Sequence, residues 1–94
     1  MLSKIPIDLS KVGKENIDKE ILRSAIIAEL DAINLYEEMA AMASNADIKD
    51  ILLDVAKEEK THVGEFQALL LRFDEEQVKE LESGKMEVEE ELGH

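Results

Sequence analysis

The sequence has no cysteine and no tryptophan, a single proline, one tyrosine and two phenylalanines, and nowhere a long uncharged apolar run. The missing thiols exclude disulfides, thiolate zinc sites, rubredoxin-type iron centres and thiol nucleophiles together, a composition that suits a reducing compartment. Aromatics make up 3% of the chain, so aliphatic side chains and alanine supply nearly all the packing, which favours helices. No segment approaches the roughly 20 apolar residues that a membrane span needs. Residues 1–7 lack the apolar stretch of a secretory signal, so the expected location is the cytoplasm, with no membrane partner. Tandem repeats, strand-like alternation and glycine-rich phosphate loops are also lacking.

What is present bounds the chain to one folded domain: 94 residues, 45% hydrophobic and 36% charged. Its 23 acidic and 11 basic residues give a formal charge of −12, a field that repels phosphate backbones and excludes nucleic acid as a partner. The charge is uneven, since residues 74–94 hold nine acidic and two basic side chains. The expected organisation is an extended N-terminal arm over residues 1–15 containing Pro6, a helical domain over 16–84, and a mobile acidic tail over 85–94.

Two long helical patterns and one short one fill the domain, so the predicted fold class is all-α. The first helix should start near Asn16 or Asp18 and run to about Ala43, ahead of the break at Ser44-Asn45-Ala46. The second should begin at an Asp47 cap and reach Phe73, and Asp74-Glu75-Glu76-Gln77 reads as the capped start of a short third helix that Gly84 ends. The first helix carries an apolar seam at Leu22, Ile26, Ile33, Tyr36 and Ala40, interrupted at Glu29. The second repeats it at Ile48, Leu52, Val55, Phe66, Leu69 and Phe73, interrupted at Glu59 and His62. Met39 and Met42 read as core packing near the turn.

Glu29, Glu59 and His62 are therefore the polar groups with ligand chemistry in the two seams. In an antiparallel hairpin that turns near position 45 they lie at one level, roughly 21 to 26 Å from the turn at about 1.5 Å per residue. A lone helical Glu is usually a solvated surface residue, and a seam His is more often a hydrogen-bonded core residue than a ligand. Here Glu59 and His62 form Glu-x-x-His on one helix face, opposite a Glu flanked by Leu22, Ala25, Ile26, Ala32, Ile33 and Tyr36 with no Lys or Arg to neutralise it. Di-iron carboxylate bundles use one Glu from each of two helices and a Glu-x-x-His from each of the other two, so this chain carries half a set. A symmetric homodimer would complete the four-helix bundle and the site together.

The segments Ile26-Ile27-Ala28-Glu29-Leu30-Asp31-Ala32-Ile33-Asn34-Leu35-Tyr36-Glu37 and Val55-Ala56-Lys57-Glu58-Glu59-Lys60-Thr61-His62-Val63-Gly64-Glu65-Phe66 resemble those of the encapsulated ferritin family, a branch of the ferritin-like superfamily. The resemblance spans about residues 16–84. It implies a ferritin-like bundle formed by two hairpins around a di-iron ferroxidase centre, dimers arranged in a ring, often a decamer, and work inside an encapsulin shell. It implies Glu59 as the bridge between two irons, Glu29 and His62 as terminal ligands and Tyr36 beside the centre. Asp31 matches an acidic position on the family's metal approach route, whereas Ala28 and Leu35 do not. The end of the chain, Glu89-Glu90-Glu91-Leu92-Gly93-His94, does not match the usual shell-targeting peptide, and His94 is given no role.

The expected reaction is oxidation of Fe(II) by dioxygen at a di-iron site, with Mn2+, Zn2+ or Ca2+ able to occupy the same oxygen-rich donors. Tyr36 would hydrogen-bond a ligand carboxylate, donate an electron or simply pack. Glu37, Glu38, Glu58 and Glu65 would draw cations to the surface or form a solvated face. The alternatives are a rubrerythrin-like peroxide-reducing enzyme, disfavoured by the lack of a cysteine relay, and a metal-free helical interaction module.

Overall fold

The computed structural model describes Gly13 and residues 16–94, which form three helices in the order α1 (Ile17–Met42), α2 (Ala46–Phe73) and α3 (Glu75–Leu92). No strand occurs among the described residues. The expected arm, residues 1–15, lies outside them apart from Gly13, whose carbonyl accepts the Asn16 N–H at 2.9 Å. Among the described residues no helix is long and apolar enough to cross a membrane.

α1 and α2 pack side by side and antiparallel, as the cross-links Glu37–Lys60, Glu29–His62 and Arg23–Asp74 show: falling positions on α1 meet rising positions on α2 and just beyond it. The connection is tight because Asn45 caps α2, its Oδ1 accepting the Ile48 N–H at 3.0 Å. The expected Asp47 cap is therefore displaced by two residues, and Asp47 sits instead in the first turn, where a carboxylate faces the positive end of the helix.

Burial follows one narrow strip. Ile33 and Ala40 on α1 and Ala56 and Leu70 on α2 are buried, and among the described residues no large side chain is fully enclosed. Two helices meet along a line, so most of each apolar face stays outside it. Ile48, Ile51, Leu69 and Phe73 are 55%, 64%, 44% and 56% exposed, and with Val55, His62 and Phe66 they follow one side of α2. Ile48, Leu69 and Phe73 thus depart from the expected internal seam, as do Met42 and Met39, which lie on the surface. Covering four such side chains is worth roughly 1 kcal/mol or more each, so the single hairpin leaves a large share of its stabilisation unused.

The third helix differs most from expectation. It starts where predicted, with Asp74 Oδ1 accepting the Gln77 N–H at 3.0 Å, but runs 18 residues through Gly84 to Leu92. A mid-helix glycine costs about 1 kcal/mol, which strong helix formers on both sides offset. The stop is Gly93, at φ 80°, whose N–H bonds to the Glu89 carbonyl at 2.9 Å. The segment 85–92, expected as a mobile tail, is helical and exposed.

Candidate metal centre

Helical spacing brings the expected residues together. Glu29 sits midway along α1, and Glu59 and His62 lie one turn apart on α2 at the same height. Each offers one donor atom, and the three atoms lie within 4.8 Å of one another. Nδ1 of His62 stands 3.3 Å from Oε2 of Glu59 and 3.4 Å from Oε2 of Glu29. The Glu29 and Glu59 side chains are 21% and 17% exposed, whereas that of His62 is 44% exposed on the uncovered side of α2.

The electrostatics fit a cation. Oε2 of Glu29 is shut off from solvent and accepts no hydrogen bond, which is costly for a carboxylate oxygen in an apolar seam. The ion-pair contact of both carboxylates is the same imidazole nitrogen, which carries at most one proton to share between them. Atoms held about 2.1 Å from one ion lie roughly 3.0 to 3.4 Å apart, close to the two contacts that Nδ1 of His62 makes. Two carboxylates and an imidazole suit iron(II), manganese or zinc.

The other expected residues stand nearby to different degrees. Tyr36 and Asp31 are both half-buried on α1, two turns and half a turn beyond Glu29. Glu37 is exposed and pairs across the hairpin with Lys60 at 3.1 Å. Glu38, Glu58 and Glu65 are exposed.

Sequence reasoning passed over Arg23, which links α1 to the α2–α3 junction. Its Nη2 donates to Asp74 Oδ2 at 2.8 Å and its Nη1 stands 3.5 Å from Glu20 Oε1. The Gln77 N–H and the Arg23 guanidinium hold the Asp74 carboxyl below the usual aspartate range, against the opposing effect of burial. An Arg and an Asp whose positions differ by 51 give no local signal, so only the fold could pair them.

Comparison with known proteins agrees with this architecture. The rubrerythrin family matches residues 20–93. The chain is 65% identical over 74 residues to the ferritin-like-encapsulin shell fusion protein of Pyrococcus furiosus, covering 79% of this chain and 21% of that one. It is 44% identical over 71 residues to the encapsulin nanocompartment cargo protein EncC of Myxococcus xanthus, covering 72% of this chain and 55% of that one. This chain therefore spans a fifth to about half the length of these curated relatives. The crystal structure of the encapsulated ferritin domain from Pyrococcus furiosus superimposes with a TM-score of 0.84 at 53% identity, covering 100% of this chain and 96% of that one. On these matches and the all-helical hairpin, the chain belongs to the rubrerythrin family of ferritin-like proteins and, within it, to the encapsulated ferritins.

Proposed function

We propose that the chain is a ferroxidase, oxidising Fe(II) with dioxygen at a di-iron site shared by two copies. The observation that carries this reading is the meeting of Glu29, Glu59 and His62 within 4.8 Å at the margin of an uncovered apolar face. One hairpin offers two carboxylates and one imidazole; two related by a twofold axis offer four and two, the complement of a di-iron carboxylate bundle. The exposed stripe through Ile48, Ile51, Leu69 and Phe73 is the surface that such a dimer would bury.

In this reading Fe(II) is the substrate, and each ion gives one electron to dioxygen. By the family resemblance Glu59 would be the ligand shared between the ions, and Glu29 and His62 would be terminal ligands, with both copies contributing. The carboxylates offset the charge gained on oxidation and so favour the ferric product. Covering the apolar face would enclose His62 and raise the strength of these interactions by excluding water. Tyr36, two turns beyond Glu29 on α1, would donate a hydrogen bond or an electron to the centre, or pack in the dimer core. Asp31 belongs to the approach path of the metal. Mn2+, Zn2+ or Ca2+ would compete for the same donors.

The relatives' names support placing this centre in an encapsulin compartment; the cytoplasmic location, and the gathering of dimers into a ring, a decamer by family resemblance, belong to the proposal. A ring of such hairpins, each with a single added helix, has no closed cavity of its own, so the isolated assembly oxidises iron without retaining a mineral. The test is anaerobic loading with Fe(II) followed by oxygen. The reading requires dioxygen consumption coupled to Fe(III) formation above the uncatalysed background, lost in Glu29→Ala, Glu59→Ala and His62→Ala. Preferential consumption of hydrogen peroxide would favour the rubrerythrin-like alternative, and variants as fast as the parent would overturn the site.

A further inference from the structure

The third helix hangs on one residue. α2 ends at Phe73 and α3 begins at Glu75, leaving Asp74 alone between them at φ −137° and ψ 84°. No side chain of α3 is buried, and Gln77 is the one partly covered. A helix of 18 residues is roughly 27 Å long, so a turn of about 10° at its base moves its tip roughly 5 Å.

Apolar contact holds the elbow only loosely. An apolar groove of about 360 Å³ lies there, lined among others by Ile27, Leu70, Leu71 and Leu81. Such contacts are non-directional and tolerate sliding. Asp74 supplies direction instead. It is buried at 9% exposure, and its two oxygens point to different elements: Oδ1 accepts the Gln77 N–H of α3 at 3.0 Å and Oδ2 accepts Arg23 Nη2 of α1 at 2.8 Å. Glu20, one turn before Arg23, stands 3.5 Å from the other guanidinium nitrogen and orients the fork. The chain of contacts Glu20–Arg23–Asp74–Gln77 therefore ties the start of α3 to α1 without passing through α2.

We propose that the Arg23–Asp74 pair is the lock that sets the angle of α3 to the hairpin, and that it needs the charge of Asp74 as well as its capping oxygen. Arg23 and Asp74 are positioning residues in this account, and the inference is independent of the metal reading. Without the pair the helix persists, because Asn or Ser can also cap it, but its direction is no longer single. Any assembly that uses α3 would then lose its uniform geometry.

The absence of cysteine makes the test clean. Spin labels on cysteines placed at the exposed Glu38 and Glu87 report the distance from α1 to α3, with labelled chains diluted in unlabelled protein so that only intrachain distances are read. The lock predicts a single narrow distance distribution in the parent. It predicts a broader, shifted one in both Asp74→Asn and Arg23→Gln, with helix content unchanged and the double variant no worse than either single one. If Asp74 acts only as a cap, Asp74→Asn and Arg23→Gln leave the distribution as in the parent, which overturns the proposal. Should Asp74→Asn lose helix content, Arg23→Gln decides alone, since Arg23 makes no capping contact: broadening supports the lock, and an unchanged distribution refutes it.

Discussion

Nδ1 of His62 on α2 stands 3.4 Å from Oε2 of Glu29 on α1, and that oxygen is buried without a hydrogen bond. A half-buried carboxylate in an apolar seam destabilises the metal-free fold, and a cation relieves it. Glu29→Gln removes the charge and nearly preserves the shape. Its metal-free thermal midpoint should be no lower than the parent's and higher by an amount corresponding to about 1 kcal/mol, whereas the rise on adding Mn2+ or anaerobic Fe(II) should vanish. A variant that gains as much from the metal as the parent does would remove Glu29 from the site.

Leu69 is 44% exposed in the single hairpin, on the side that the dimer would cover. Leu69→Lys should leave the helix content of the hairpin intact yet shift the molecule to monomers, with iron oxidation lost although no ligand has changed. Sedimentation velocity alongside the oxidation assay checks both halves. Dimers that persist in the variant would show that the mating face lies elsewhere.

Ser24 is buried at 7% exposure and its hydroxyl has no hydrogen-bond partner. Ser24→Ala deletes an unsatisfied group and introduces the strongest helix former, so it should stabilise the fold by about 1 kcal/mol in a denaturant titration. Destabilisation of similar size would mean that the hydroxyl is satisfied in solution.

Acid should release α3 late. The Asp74 carboxyl is held below its ordinary value of 3.8 by the Gln77 N–H and by Arg23, with Lys19 adding attraction. Because the folded value is depressed, its contribution is complete above the unfolded value and lost only as pH falls through the lower folded one. Asp74→Asn cannot titrate there, so acid should broaden the parent's distance between labels at positions 38 and 87 towards the variant's, while the variant's own distance stays unchanged. Superimposable acid responses in the two would contradict the assignment.

The meeting of Glu29, Glu59 and His62 was legible in the sequence because it follows from helical spacing. Glu59 and His62 are three positions apart, and Glu29 stands out as an acid in an apolar repeat. Heptad-like spacing also placed both long helices to within a few residues. The misreadings came from competition between equivalent signals. Asn45 and Asp47 can both cap a helix, and the cap fell to Asn45, whose side-chain amide oxygen accepts the N–H three residues on. Gly84 and Gly93 can both end one, and the left-handed turn fell to Gly93 because Gly84 is embedded among helix formers. The seam was read as wholly internal although the apolar stripe of α2 is wider than the strip that α1 covers, which left Ile48, Leu69 and Phe73 outside.

The central claim, a metal centre that exists only between two copies, is tested most directly by native mass spectrometry of the anaerobic protein titrated with Fe(II). Mass action requires metal to draw chains into the state that binds it. The account predicts that monomers stay metal-free while dimers, or multiples of dimers, accumulate with about two irons per pair of chains. Stoichiometric binding of two irons to a persistent monomer would contradict it.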